Sequence, residues 1–147
     1  MTCDKELSRD EERNDLPLCY AKKAVELEPY TMTYRAYYGT LLLKRKRYQE
    51  LITVLQEGLF LCPNWAEGFY IWARLLRKQG DWQGALKKSR KALSLSPTIM
   101  KYRNQLVRLL LHNQKYLEAI GVACSHPRKK FAALAFILVN GKWSRKK

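Results

Sequence analysis

The sequence predicts an all-α protein, an α-solenoid of stacked antiparallel helix pairs, from three observations. Pro29, Pro63 and Pro97 lie 34 residues apart, and each closes a segment with helical apolar spacing. A fixed period of this size is typical of helix–turn–helix repeats. Of the 147 residues, 47% are hydrophobic, which indicates a globular chain with a core. Other positions recur at the same interval: Tyr48, Trp82 and Tyr116; Leu42, Leu76 and Leu110; Ala24, Gly58 and Ala92.

The first ordered segment is predicted to begin beside Pro17, which suits a first helical turn. Residues 1–15 are polar and acidic without a helical stripe, and we expect them to be disordered. Leu18 to Glu28 carries an apolar stripe, and Pro29 ends the helix because proline disfavours helical geometry in the residue before it. This segment is therefore predicted to be a half-repeat at residues 16–31.

Two complete repeats are predicted at residues 32–65 and 66–99. Their helices are expected at 33–44, 48–61, 65–78 and 82–95, with the basic run 44–47 as the first turn. Gly80 suits a left-handed helix cap, and Asp81 suits the N-cap of the next helix. The residues expected to point inward are Tyr34, Tyr38, Leu41 and Leu42, then Leu51, Ile52, Leu55 and Leu59, then Phe69, Trp72, Ala73 and Leu76.

A weaker third pair is predicted at 99–112 and 115–124, as a partial repeat at 100–133, so that the array spans 16–126. Residues 127–147 are expected to form a C-terminal apolar helix and a basic tail, with an apolar run too short to span a bilayer. Because the first repeat lacks its first helix, and this apolar end is no polar cap, we expect a fragment or short isoform of a longer repeat protein.

The repeat resembles that of the tetratricopeptide-repeat (TPR) family, whose unit carries bulky, Leu, Gly, Tyr, Ala and Pro positions at set offsets. The third unit departs from that pattern at Val107, His126 and Phe131. The residues that carry the resemblance are Tyr38, Gly39, Leu42, Tyr48, Leu55, Gly58 and Pro63, then Phe69, Trp72, Ala73, Leu76, Trp82, Ala85, Ala92 and Pro97, then Leu106, Leu110, Tyr116, Ala119 and Ala123.

The resemblance implies that the first helix of each pair lines a concave groove for another protein. The candidate peptide-binding residues in that groove are Tyr37, Lys44, Tyr70, Arg74, Arg77, Lys101, Asn104 and Arg108, and the same face also takes in Thr33, Thr40, Glu67, Ile71, Lys78, Gln105 and His112. Since paired guanidinium groups suit carboxylates, we expect an extended acidic peptide. The clamp for acidic chaperone tails found in some TPR domains is not expected, because Tyr37, Glu67 and Ile71 occupy places where it needs amide or basic side chains.

The net charge of +15 favours acidic partners and leaves an alternative open. A basic convex surface at Lys87, Lys88, Arg90 and Lys91, joined by the basic runs at 44–47 and 128–130, could attract RNA or another nucleic acid without sequence preference. A simpler reading is that these cations are only solvated, and a further one is a fragment with no function of its own. No catalytic set, metal site or cofactor motif is recognisable. We therefore expect a cytoplasmic adaptor, with a nuclear location also open, that is no enzyme and needs no cofactor, membrane or small molecule.

Overall fold

The computed structural model describes residues 9–125, and the side chains of residues 15–125. Within this range the chain is all-helical, and each helix packs against its neighbours in sequence, with α2 also touching α4. This chain of neighbouring contacts is the arrangement of an α-solenoid, as predicted. The seven helices of this part of the chain are α1 (Arg9–Leu27), α2 (Met32–Lys44), α3 (Tyr48–Leu61), α4 (Ala66–Gln79), α5 (Trp82–Leu95), α6 (Met100–His112) and α7 (Tyr116–Cys124).

Helix α1 begins earlier than the sequence pattern indicates. Residues 9–15 were expected to be disordered, but they form the first turns of α1, and Pro17 lies inside the helix. Asp15 Oδ1 lies 3.1 Å from Arg45 Nη1 in the turn after α2, which ties this end of α1 to the next hairpin. Residues 1–8 and the predicted C-terminal helix at 127–147 lie outside the described residues.

The turns follow the predicted chemistry. Gly80 ends α4 with a φ of 86°, the left-handed conformation that glycine adopts without strain. Asp81 caps α5, since its Oδ1 accepts a hydrogen bond of 2.8 Å from the backbone N–H of Gly84. This pair of residues turns the chain back on itself between the two helices of the second repeat.

Two buried arginines, 68 residues apart, hydrogen-bond to the proline-containing turns that precede their helices: Arg35 in α2 and Arg103 in α6. Arg35 Nε donates to the carbonyl of Pro29 at 3.0 Å, and Arg103 Nη2 donates to the carbonyl of Pro97 at 2.6 Å. Arg35 also pairs with Glu57 at 3.1 Å. Among the described residues Arg103 has no carboxylate partner, and its Nε makes no hydrogen bond. In the middle repeat the equivalent position, 34 residues from each arginine, is Phe69, which cannot donate this hydrogen bond.

Within the described residues the core consists of two hydrophobic clusters, and α4 contributes to both. Ile71 and Leu75 of α4 are fully buried in the first cluster, which otherwise comes from α1, α2, α3 and Trp65. Leu76, also of α4, packs against the second cluster, formed by α5, α6 and α7. Helix α4 is therefore the element through which the two halves of the described array are joined.

The face that α4 buries differs from the predicted one. Trp72 and Leu76 were expected in the core and are only half-buried, whereas Ile71, expected in the groove, is 0% exposed. The Lys88 ammonium of α5 lies 4.3 Å from the ring centre of Trp72, so a lysine covers this ring as a cation–π contact. Tyr34 of α2 was also expected inward but is 39% exposed. Each first helix packs on two sides, against its partner and the adjacent repeat, and one apolar stripe does not describe it.

The ring of Trp65 lies where α3 and α4 approach most closely. A Cβ atom placed on Gly58 of α3 would lie 2.5 Å from Trp65 Cζ3, and a Cβ on Gly68 of α4 would also overlap the ring. Trp65 is 6% exposed. The two glycines therefore provide the space that this indole fills between α3 and α4.

Candidate functional site

Helices α2, α4 and α6 together line one face of the molecule, and two cavities open on it. We call the surface formed by these two cavities the groove. The larger one, called here the first cavity, has a volume of about 550 Å³. The smaller one, called the basic cleft, has a volume of about 290 Å³. The first cavity is lined by Met32, Thr33, Ala36, Tyr37, Thr40, Trp65, Glu67 and Lys101. The basic cleft is lined by Arg77, Lys78, Trp82, Arg108, Leu109 and His112.

The two charges in the first cavity neutralise each other. Glu67 of α4 lies 2.6 Å from the Lys101 ammonium of α6 and accepts a hydrogen bond of 2.6 Å from the Tyr102 hydroxyl. The same ammonium lies 5.4 Å from the ring centres of both Tyr70 and Tyr102. Burial, and then the hydrogen bond to Glu67, raise the pKa of Tyr102, so its hydroxyl remains a donor. The remaining lining is apolar or uncharged.

The basic cleft has the opposite character. Three of its lining residues, Arg77, Lys78 and Arg108, carry a positive charge, and no acidic residue of the described range 9–125 lines it. Among the described residues none of these three makes an ion pair. The rings of Trp82 and His112 stack with their planes 11° apart and form one wall. The cleft thus presents unpaired cations beside a flat aromatic surface.

Four of the predicted site residues line these cavities. Tyr37 and Lys101 line the first cavity, and Arg77 and Arg108 line the basic cleft. The two arginines, Arg77 in the last turn of α4 and Arg108 near the end of α6, line the same cavity. Tyr37 is 56% exposed, which is high for a large aromatic side chain at a cavity.

The other four predicted site residues lie elsewhere on these helices. The Arg74 guanidinium lies 5.7 Å from the ring centre of Tyr70. Both residues are half-buried, and along α4 they come after Glu67 of the first cavity and before Arg77 of the basic cleft. Lys44 and Asn104 are exposed and line neither cavity. Gln105, also expected on this face, is buried, and its Nε2 donates to the Tyr70 carbonyl at 3.3 Å. Its role is to hold α6 against α4.

Sequence reasoning missed the contribution of two tryptophans to the groove. Trp82 was interpreted only as a repeat position and Trp65 only as the start of a predicted helix, yet each lines a cavity. Each tryptophan lies at or beside the start of a helix, Trp65 as the N-cap of α4 and Trp82 as the first residue of α5. The signal that could have identified them is a large aromatic residue at the start of a helix, where its ring lies beside the groove-lining helix α4.

The opposite basic surface is partly engaged by the protein itself. Lys88 covers the rings of Trp72 and Phe69, and Arg90 pairs with Glu118 of α7. Lys87 and Lys91 are exposed, and neither makes an ion pair within the described part of the chain. Of the four α5 cations predicted to contribute to a nucleic-acid surface, Lys88 and Arg90 therefore already have partners.

The described residues also bear on metal binding and membrane insertion. Residues 9–125 contain no group of three or more His, Cys, Asp or Glu side chains arranged to hold a metal ion. No helix in that range combines the length and apolar character needed to cross a membrane.

No protein-family model matches the sequence. The search of curated proteins likewise gives no match.

Solved structures do match the fold. MamA superposes with a TM-score of 0.70 at 16% identity, covering 92% of this chain and 81% of MamA. A chain of the Naa15/Naa10 complex bound to HypK-THB gives 0.69 at 16% identity, over 90% of this chain. This chain spans only 21% of that one. YrrB, described as a TPR protein with an unusual peptide-binding site, gives 0.63 at 19% identity, over 93% of this chain and 73% of YrrB. The protein therefore has the tetratricopeptide-repeat fold.

Proposed function

We propose that the protein is an interaction module without chemistry of its own, and that its groove binds an extended acidic peptide of another protein. The observation that carries this proposal is the basic cleft, where Arg77, Lys78 and Arg108 surround one cavity and have no acidic partner in the part of the chain that the structure describes. Like charges are held together at a cost that a bound anion relieves. YrrB, which shares the fold, has a peptide-binding site, and this supports a peptide as ligand.

Carboxylates suit the cleft for geometric and electrostatic reasons. The two guanidinium groups of Arg77 and Arg108 can each form two parallel hydrogen bonds to a carboxylate. A chain of net charge +15 also attracts acidic segments over a distance before contact. Since the cleft is open to solvent, ions screen these interactions, and affinity should fall as salt increases.

The test compares two double variants that change the net charge equally. Arg77→Glu with Arg108→Glu reverses the cleft, and Lys87→Glu with Lys91→Glu reverses two exposed cations of α5 as the matched control. Binding of a library of acidic peptides, and of the same peptides with Gln for Glu, is measured by fluorescence anisotropy. We expect the cleft variant to lose at least tenfold in affinity and the control to stay within about threefold.

Two results would contradict the proposal. Equal losses in both variants would indicate non-specific attraction to the net charge, and unchanged binding in both would place the peptide elsewhere. A nucleic-acid oligomer measured beside the peptides tests the alternative function. If the α5 variant alone loses binding, and only to the oligomer, the basic surface of α5 is the functional one.

A further inference from the structure

We infer that the ligand of the groove is bipartite: a large apolar side chain occupies the first cavity, and a pair of carboxylates about five residues away occupies the basic cleft. This inference rests on the proposed function and narrows it to a class of peptide. It follows from three features: the charge balance of the first cavity, the charge excess of the basic cleft and the distance between them.

The first cavity favours an uncharged, bulky group. Its two charges, on Glu67 and Lys101, are already paired at 2.6 Å, so they offer an incoming charge no unpaired partner. A ligand carboxylate placed there could pair with Lys101 only by competing with the Glu67 carboxylate, which repels it. Met32, the exposed ring of Tyr37 and the edge of Trp65 instead offer apolar and aromatic surface. A volume of about 550 Å³ accommodates a side chain as large as that of tryptophan or phenylalanine.

The basic cleft favours more than one negative charge. Arg77, Lys78 and Arg108 contribute three positive charges around about 290 Å³, with none offset by an ion pair among the described residues. A single carboxylate leaves most of that charge unbalanced, whereas two adjacent carboxylates can each take one guanidinium fork. The stacked rings of Trp82 and His112 form a wall against which the peptide backbone or an aliphatic stem can lie.

The spacing follows from helix geometry. Glu67 at the first cavity and Arg77 at the basic cleft are both on α4 and ten residues apart, which corresponds to about 15 Å along the helix axis. The first cavity lies toward α2 and the cleft toward α6, so one interhelical step of about 9 Å is added sideways. The diagonal is about 17 Å, which an extended chain at about 3.3 Å per residue spans in about five residues.

The test uses the full chain and synthetic peptides that carry a Trp anchor and a Glu-Glu pair on a Ser/Thr background. Anchor and pair are placed two, five or nine positions apart, in both chain orders. Binding is followed by anisotropy up to millimolar protein. We expect the spacing of five, in one order, to bind at least tenfold more tightly than the spacing of two. Replacing Trp by Ala, or Glu-Glu by Gln-Gln, should each remove at least tenfold.

A protein variant assigns the anchor to the first cavity. Tyr37→Ser changes an exposed side chain. It should abolish the advantage of Trp over Ala in the peptide while leaving the advantage of Glu-Glu over Gln-Gln. Because the peptide substitutions leave the protein intact, they test the inference even if this variant proves unstable.

The outcomes separate the inference from the proposed function. If acidic peptides depend on Arg77 and Arg108 but bind equally with Trp or Ala and at every spacing, the bipartite ligand is overturned and the acidic-peptide function stands. If no acidic peptide depends on those arginines, both are overturned. A Trp effect that persists unchanged in Tyr37→Ser also overturns the inference, since the anchor then binds elsewhere.

Discussion

Replacing Gly58 by alanine adds a methyl group against the ring of Trp65. The new carbon would lie 2.5 Å from Cζ3 and 2.9 Å from Cε3 of that ring, far inside the distance of about 3.5–4.0 Å at which carbon atoms meet favourably. The ring cannot move away, because Gly68 already lies against it on α4. Overpacking of this kind costs about 1–3 kcal/mol. Because a contact of 2.5 Å is a severe overlap, we expect the upper part of that range, about 2–3 kcal/mol, and a gain of about 1 kcal/mol in helix propensity then leaves a net loss of about 1–2 kcal/mol.

The measurement is urea unfolding followed by far-UV circular dichroism, with Gly121→Ala as the matched control. Gly121 lies in α7, is exposed, and a Cβ there would have no neighbouring atom within 4 Å. The control should therefore be neutral or gain up to about 1 kcal/mol from helix propensity alone. The two substitutions are chemically identical, and opposite signs are expected.

A double-mutant cycle isolates the cause. In a Trp65→Leu background the added methyl at Gly58 should cost less, because the ring that it meets is gone, and the coupling should be at least about 0.5 kcal/mol. If Gly58→Ala is as stable as the parent protein, or if its cost is unchanged in the Trp65→Leu background, the close approach of α3 and α4 through these glycines is refuted.

Three further predictions concern the core and its buried polar groups. Leu75→Ala should destabilise the fold by about 2–5 kcal/mol, and half-buried Leu76→Ala by clearly less, which a urea titration of both variants checks. Arg35→Met should cost about 1–3 kcal/mol because it frees a turn carbonyl and removes an ion pair. Arg103→Met should cost less in the same assay, because that guanidinium has no carboxylate partner in the described range; equal costs would contradict this. The folded state raises the pKa of Tyr102, so its neutral phenol stabilises the fold fully below about pH 10. This contribution decreases as the pH rises above about 10, because the unfolded chain then loses the phenol proton more readily than the folded one. Tyr102→Phe should therefore be less stable than the parent by about 1 kcal/mol at pH 7, and a gap that does not shrink above pH 10 would count against this account.

The sequence predicted helix ends well where a residue forces the chain to turn. Helices α3 and α5 begin and end at the predicted residues, because Pro63, Pro97 and the Gly80–Asp81 turn punctuate the pattern. The predicted start of α1, at residue 16, was wrong because an apolar stripe was the only signal used to place it. Residues 9–15 lack such a stripe, yet they are helical. Once packing stabilises the later turns of a helix, adding residues at its end costs little, because nucleation is the expensive step.

The inward face of α4 was less predictable than its length. A first helix in this array contacts its hairpin partner on one side and the preceding repeat on another, so its buried residues, such as Ile71 and Ala73 of α4, do not follow one stripe. The covering of Trp72 by Lys88, and the pairing of Glu67 with Lys101, depend on distances between repeats. A 34-residue period shows which positions are equivalent, but it does not show which of them touch. The peptide-binding role of the groove residues stays a prediction.

The sharing of α4 between both clusters has a consequence for how the protein responds to damage. In an array of nearest-neighbour contacts, terminal elements can fray while the rest stays folded. A lesion in α1 or α7 should therefore open one end locally in hydrogen exchange. A lesion in α4 removes support from the clusters on both sides, so the amides of α2 and α6 should lose protection together although neither helix has been altered.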